Sequence, residues 1–396
     1  MTELSDWDLI VVGAGPAGTS TALSAIHAGP RLRVLLLDRA DFPRDKSCGD
    51  GIAPHVFDRL SRIGVTGVED GWTPLTRLEL ARGTSSVSRP MARPVYVIPR
   101  EVFDARLVER AVAAGATLVR HRVADVRATD EGIVLDGRFR APVVVGADGA
   151  HSVLRGHLGL PDGRRALAIR GYAATPPERR GTQVIRYGDR RQPSYAWAFD
   201  RGDGLSNVGY GELLPGDRTD SPTRALLLDQ LDRLLPGSVE AGEQWKAHHL
   251  PLSGFTWEQP DGPVLLTGDA AGLINPMTGE GIYYAVATGI TAGRATAQAF
   301  RAAAPQSAGM LHRRAVRALL GRHLKHTWTA ARLSQSATVV EGGIRAAQRD
   351  GRIFDELVEL GLGDGRISRR LAGHLVGGVA RRTVQHSPVN RLVKET

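Results

Sequence analysis

Short uninterrupted apolar runs, each closed by a glycine or an aspartate, punctuate the chain. Leu9-Ile10-Val11-Val12, Val34-Leu35-Leu36-Leu37, Val143-Val144-Val145 and Val264-Leu265-Leu266 carry no polar alternation and are too short for helices. That is the pattern of parallel strands buried on both faces. Between the first two runs, Thr19 to His27 reads as a small-residue helix. Sheets of this kind bind ligands beyond the carboxyl ends of their strands. Residues 166–254 differ: stretches such as Thr182–Arg186 and Tyr195–Phe199 alternate in character and are broken by Gly, Pro and Asp, which predicts antiparallel sheet. From about residue 281 apolar positions recur at helical spacing, with Leu311, Val316, Leu319, Leu320 and the neighbourhood of Leu324 set among arginines. A helical cap whose stripe packs on the body is the expectation; a helix lying on a membrane is the alternative.

The predicted fold class is therefore α/β. A discontinuous, doubly wound (Rossmann-like) domain takes residues 1–75, 93–165 and 255–300. An interleaved antiparallel-sheet substrate domain takes 76–92 and 166–254, and a C-terminal helical region takes 301–396. No internal repeat or low-complexity tract interrupts this plan.

Composition narrows the class. With 42% hydrophobic and 23% charged residues over 396 positions, the chain can bury a core unaided and is not disordered. The single cysteine, Cys48, rules out a disulfide framework and suits a reducing cytoplasm. No apolar run approaches the ~18 residues that span a bilayer, and the polar, acidic opening residues do not read as a signal peptide. The net charge is +9, yet only four of the 51 basic residues are lysine, an arginine skew of the kind GC-rich codons produce. No aromatic-interleaved basic module is present, so nucleic acid is not expected as a partner.

Chemistry enters at Gly13-Ala14-Gly15-Pro16-Ala17-Gly18, directly after the first strand and opening the helix. Gly13 permits the tight turn, Gly15 lets the backbone approach a pyrophosphate, and Gly18 lets helix and strand pack closely, with Ala17 beside them. Asp38 ends the second strand 20 residues after Gly18, where its carboxylate can accept from ribose hydroxyls, as in FAD or NAD. Two later segments favour FAD. Asp269, in Gly268-Asp269-Ala270-Ala271, can hold a ribityl chain. Gly279-Glu280-Gly281-Ile282 is a second glycine-rich helix start, whose amides can face the flavin's pyrimidine side. Asp148-Gly149 supplies a further tight turn nearby.

With these motifs in place the chain resembles the glutathione-reductase-like flavoproteins, and within them the geranylgeranyl reductase family, including menaquinone and digeranylgeranylglycerolipid reductases. Asp45-Lys46-Ser47-Cys48-Gly49-Asp50-Gly51 resembles that family's Cys-Gly-x-Gly loop. Gln192-Pro193-Ser194-Tyr195-Ala196-Trp197-Ala198-Phe199 resembles its Pro-x-x-Tyr-x-Trp-x-Phe-Pro motif, with Asp200 in place of the last Pro. Gly272 and Glu280 stand where aromatic hydroxylases usually show His and Gln, and the Trp-x-Trp-x-Ile-Pro run of halogenases is missing from the sequence. The resemblance implies that Cys48, Gly49 and Gly51 lie against the flavin, and that Tyr195, Trp197 and Phe199 line a lipid pocket. Spacing of two puts those aromatics on one strand face; a plain apolar core face is the competing reading, as a small buried hydrophobe is for Cys48. Arg100 matches an arginine near the ribityl and phosphate region, and Val123-Ala124 a strand whose backbone, at Ala124, meets the adenine.

The implied reaction transfers hydride from reduced FAD to one alkene carbon of an isoprenoid chain and adds a proton to the other. The expected substrate is a hydrophobic small molecule: a prenyl lipid, quinone or diphosphate. With one fingerprint only, NADPH or NADH would visit transiently, or another donor would serve. The proton donor stays open among Tyr195, Cys48 and a water held by Asp50 or Glu280, while His151, His248 and His249 are expected at the surface or satisfied in the core. Two rivals share the motifs. A monooxygenase would add oxygen to an aromatic or polyketide-type metabolite, and a non-catalytic electron-transfer module would reduce no organic substrate. The expected location is the cytoplasm, with peripheral membrane contact as an open alternative.

Overall fold

In the computed structural model, which describes residues 4–216 and 221–373, the apolar runs form a five-stranded parallel sheet. Its order is Val264–Leu266, Val143–Gly146, Leu9–Val12, Val34–Asp38, Thr117–Arg120. The first four strands are buried throughout, which explains their lack of alternation. The chain builds outward from Leu9–Val12 through Val34–Asp38, then returns to the other side at Val143–Gly146. The order thus reverses between Val12 and Gly146, and a ligand crevice opens at that switch point. Helix Pro16–Ala28 packs against helix Ile282–Arg301, close enough for Ser24 Oγ to donate to the Ile290 carbonyl at 2.9 Å.

An eight-stranded sheet lies beyond the carboxyl ends. Its order is Gly242–Pro251, Arg165–Ala174, Leu205–Leu213, Ser194–Asp200, Thr182–Tyr187, Leu75–Arg82, Ser85–Val97, Gly51–Ile52. The expectation of a purely antiparallel sheet needs one correction. Thr182–Tyr187 pairs parallel to Leu75–Arg82, the seam where strands from two distant chain segments meet. Strand Ser85–Val97 also runs across the division expected at residue 93. Asp200 does the work of the missing Pro at the strand exit, its carboxylate accepting from the Gly181 and Gly202 amides and the Thr175 hydroxyl.

Helices Ala308–Leu333, Ala337–Arg349 and Gly351–Leu362 follow helix Ile282–Arg301. Val316, Leu320 and Leu324 are buried in the core of the parallel-sheet half, so this stripe of Ala308–Leu333 packs on the body. Ile344, Ala347, Ile353 and Phe354 pack on Leu75, Leu80, Val95 and Val97 of the large sheet. Residues 374–396 of the expected helical region lie outside the described residues, as do 1–3 and 217–220. Among the described residues no helix is long and apolar enough to cross a membrane.

Candidate functional site: a cavity between the two sheets

One continuous cavity of about 1040 Å³ runs from the fingerprint turn, past the Cys48 loop, to the C-terminal helices. At its first end the glycines divide into two kinds. Gly13 has φ +100°, and a Cβ there would stand 2.3 Å from the Ala147 carbonyl oxygen, because the Val12 and Gly146 strand ends converge. Gly18 faces the Gly13 carbonyl rather than the cavity, and so acts through packing. Gly15 differs: the nearest atoms to a Cβ would be Arg44 Nη2 at 3.5 Å and Arg100 Nη2 at 3.8 Å. No protein group requires a glycine at position 15. Open space over a helix N-terminus, bounded by two guanidiniums, fits a pyrophosphate.

Those guanidiniums are held by one carboxylate. Asp104, fully buried, accepts from Arg100 Nε and Nη2 at 2.7 Å each and pairs with Arg44 Nη1 at 3.0 Å. Burial opposes the charge of Arg100, and Asp104 overrides it and holds the group protonated. Asp38 lines the cavity and is anchored by the Ala14 amide (2.8 Å) and the Ala40 amide (3.0 Å). A carboxylate has about four acceptor positions, so two bonds leave capacity for ribose hydroxyls. Ala17, Gly49, Gly51, Gly279, Gly281 and Ile282 also line the cavity. Asp269 lines it too, bridged to Lys46 at 3.2 Å; burial raises its pKa, but Lys46, with His248 and Arg100, outweighs that and holds the carboxyl below its usual range. At the start of helix Ile282–Arg301 the Tyr283 amide is already taken by Glu280 Oε1 (2.9 Å). These donors and acceptors fit FAD.

Ala124 requires a correction. Residues 121–125 form no strand; the Ala124 amide donates to Asp136 Oδ1 at 3.0 Å, and its exposed side chain lies off the cavity. The neighbouring Val123 lines the cavity instead. His151, exposed as expected, and the half-buried His248 both line the cavity. Burial and then Lys46 push His248 down to about 4.

The large sheet supplies the second wall through rows of facing residues. One row is Gln183, Phe199, Asn207, Tyr172; the next is Ile185, Trp197, Gly209, Arg170; the third is Tyr187, Tyr195, Gly211, Ala168. Alternation along each strand turns all three rows to the same face. Tyr195, Trp197 and Phe199 thereby form a ladder with ring centroids 5.9 and 6.4 Å apart, and all three line the cavity. Trp197 lies flat only because position 209 is glycine: a Cβ there would stand 2.3 Å from its Cζ2. Its Nε1 donates to Asn207 Oδ1 at 2.8 Å, and the Tyr195 hydroxyl donates to the Thr278 carbonyl. The Cys48 loop sits on this ladder, with Phe199 Cε2 and Trp197 Nε1 at 3.5 and 3.7 Å from where a Gly49 Cβ would be. Burial pushes the Cys48 thiol and the Tyr195 phenol upward, so neither ionises readily.

Sequence reasoning missed the far end of the cavity. Leu78, Leu80, Val95 and Ile185 from the sheet face Val340, Ile344, Leu357 and Val358 from the last helices, enclosing an apolar lobe. Leu333, one of few large exposed hydrophobics among the described residues, sits where this lobe meets the surface.

A fingerprint turn, paired guanidiniums and the anchored Asp38 carboxylate opposite an aromatic ladder define an FAD-dependent oxidoreductase. A family model for an FAD binding domain matches residues 6–192. The menaquinone reductase of Mycolicibacterium smegmatis is 33% identical over 308 residues, covering 71% of this chain and 74% of its own. Digeranylgeranylglycerophospholipid reductase 1 of Methanopyrus kandleri is 32% identical over 318 residues, covering 74% and 81%. Among solved structures, a geranylgeranyl bacteriochlorophyll reductase-like protein from Thermoplasma acidophilum aligns with a TM-score of 0.75 at 20% identity, covering 96% of each chain. The flavin-dependent brominase Bmp2 aligns at 0.70 and 16%, covering 96% of this chain and 100% of its own, so the fold alone is shared across different chemistries. The chain belongs to the geranylgeranyl reductase family of flavoproteins.

Proposed function

We propose that this protein reduces carbon–carbon double bonds of an isoprenoid chain, geranylgeranyl or polyprenyl, with bound FAD supplying the hydride. The observation that carries the reading is the apolar lobe running on from the Trp197 ladder between sheet and helices. An extended hydrocarbon can fill such a lobe, whereas a compact aromatic or polyketide ring would leave it empty. The names of the relatives support the same chemistry.

In this reading Arg44 and Arg100 hold the cofactor's pyrophosphate, Asp38 its ribose and Asp269 its ribityl chain. The helix start at Gly281-Ile282 offers positive dipole where negative charge develops. Tyr195, Trp197 and Phe199 press the alkene into place and exclude water, which an unactivated alkene needs because positioning must replace electrophilicity. NADPH or NADH is the proposed reductant, visiting rather than residing, in a cytoplasmic enzyme. The lipid would enter from a membrane surface at Leu333, near which Phe255 packs on Trp328 (5.3 Å) with Lys325 and Arg332 over the rings. Cations over the exposed Phe255 and the half-buried Trp328 suit an anionic headgroup layer.

Mass spectrometry of product from a geranylgeranyl and polyprenyl-quinone panel tests the reading, run anaerobically with dithionite and aerobically with NADPH. Products gaining pairs of hydrogens without oxygen support it. A product formed only in air and heavier by one oxygen makes the enzyme a monooxygenase.

A further inference from the structure

Tyr187 carries a polar group that the protein itself leaves unused. Strand Thr182–Tyr187 ends there, and alternation turns Gln183, Ile185 and Tyr187 to the cavity, which all three line. The Tyr187 ring stands edge-on to Tyr195, centroids 6.1 Å apart, and packs on the apolar cluster that contains Leu80, Val95 and Ile344. Its hydroxyl pairs with no protein group. Burial alone acts on it, pushing the phenol up to about 12, with no charge or hydrogen bond contributing, so it stays a neutral donor. Asp50 Oδ1 and His248 Nε2 are unpartnered but sealed inside the protein. The Tyr187 oxygen, in contrast, keeps accessible surface, and this half-buried side chain opens on the cavity.

The surroundings decide what can meet that hydroxyl. An unmet donor in an apolar site is costly, whereas one aimed at a ligand oxygen fixes orientation. Neighbouring groups are already engaged. Tyr195 donates to the Thr278 carbonyl, Arg82 to the Gly188 carbonyl and Asp189, and Glu212 accepts from Arg190 and Tyr210. The cations that line the cavity, Arg44, Lys46, Arg100 and Arg170 among them, lie by the fingerprint turn and the Cys48 loop. Among the described residues, the side chains enclosing the apolar lobe carry no charge. Nothing there balances a phosphate, so an oxygen beside Tyr187 has to be neutral. A quinone carbonyl and a glycerolipid ether oxygen both qualify; a diphosphate does not. One step along the strand, about 7 Å, separates the Tyr187 row from that of Trp197, on which the Cys48 loop sits. A head held at Tyr187 therefore brings a double bond close to that head, rather than a distant one, onto the ladder.

We propose that the Tyr187 hydroxyl donates a hydrogen bond to an uncharged oxygen on the substrate's head group and so sets which double bond meets the flavin. The assignment rests on the reductase reading and narrows its substrate to a prenyl chain on a neutral carbonyl or ether head. Tyr187 is in this role a specificity residue, and no bond forms or breaks at its oxygen.

The test uses full-length protein loaded with oxidised FAD, so that binding is read without turnover. Tryptophan-fluorescence quenching follows titration, in detergent micelles, with a geranylgeranyl quinone, a digeranylgeranylglyceryl ether, geranylgeranyl diphosphate and an oxygen-free hydrocarbon of the same chain. Tyr187→Phe removes an oxygen that no protein group uses, so fold and FAD content should be unchanged. It should weaken binding of the quinone or the ether about 3–10-fold, the scale of one neutral hydrogen bond, and leave hydrocarbon and diphosphate unchanged. The arm that weakens tells carbonyl from ether. Tandem mass spectrometry of product from the reduced enzyme gives a second readout. Wild type should hydrogenate one position near the head, and Tyr187→Phe should spread reduction along the chain, which a merely structural role for the ring would not do. Unchanged affinity for both neutral-head ligands overturns the proposal, as does weakening of the hydrocarbon or the diphosphate by as much. So does a single position of reduction retained in Tyr187→Phe. If that variant fails to fold, the wild type decides: binding a neutral-head chain no more tightly than the matched hydrocarbon overturns the proposal. A wild type that binds with this selectivity but adds oxygen instead of hydrogens sinks the reductase reading itself, a different failure from these.

Discussion

Replacing Gly15 by alanine separates what the fold needs from what the cofactor needs. Gly15 has φ −73° and ψ −172°, a conformation alanine adopts freely, and its Cβ would meet no atom closer than 3.5 Å. Two small effects on the cofactor-free chain oppose each other. Restricting the unfolded state contributes ~0.4–1 kcal/mol, and alanine is a poorer helix N-cap than glycine by less than about 1 kcal/mol. The net change in cofactor-free stability should therefore stay within about 1 kcal/mol of zero. A methyl group in the space reserved for pyrophosphate should instead weaken FAD binding by ~10–100-fold, or roughly 1.4–2.8 kcal/mol. The assays are thermal unfolding without FAD and flavin-fluorescence titration, with the FAD-dependent rise in melting temperature shrinking as affinity falls. Gly13→Ala is the contrasting control. Its φ of +100° and the 2.3 Å approach to the Ala147 carbonyl predict damage to the fold before any cofactor is added. A Gly15→Ala protein with wild-type FAD affinity, or one whose cofactor-free form unfolds well below wild type, would refute the reasoning.

Other outcomes follow from the same geometry. Asp104→Ala leaves the Arg100 guanidinium buried without its carboxylate and should cost ~3–5 kcal/mol in chemical denaturation, since an uncompensated buried charge is the expensive case. Because burial raises the Asp50 pKa in the folded state, the folded protein binds the extra proton between the ordinary value of 3.8 and about 6. Stability relative to Asp50→Asn should thus fall as pH rises through that window, by on the order of 3 kcal/mol in all, measured by denaturant midpoints at pH 4 and 7. Ile344→Trp fills part of the apolar lobe at an overpacking cost of ~1–3 kcal/mol, and product analysis across chain lengths should show preference moving toward shorter prenyl groups.

The parallel sheet and cofactor end were legible because their constraints are local. A strand buried on both faces needs every residue apolar, and the Gly13–Gly18 turn compresses its geometry into six positions. The aromatic ladder was equally readable, since a spacing of two fixes the face. What escaped depends on partners far apart in sequence. Gly209 matters only because Trp197 lies across it, and Asp50 takes its character from Tyr172 and Asn207, 122 and 157 residues away. The apolar lobe was hidden because an amphipathic helix announces a buried stripe without naming what it covers. Residues such as Ile344 and Val340 stop short of filling the space beside Leu80 and Ile185. Ala124 failed for a reason no pattern reveals: the Asp136 carboxylate had already claimed its amide.

The central claim is that a prenyl double bond receives the electrons of the bound flavin directly. Its most direct measurement is a single turnover without oxygen: FAD-loaded protein is reduced, geranylgeranyl or polyprenyl-quinone substrate is added, and the flavin's visible absorbance is followed. The account predicts that oxidised-flavin absorbance returns on mixing, in step with a product carrying two more hydrogens. Absorbance that stays bleached until air is admitted, with oxygen then appearing in the product, would contradict it.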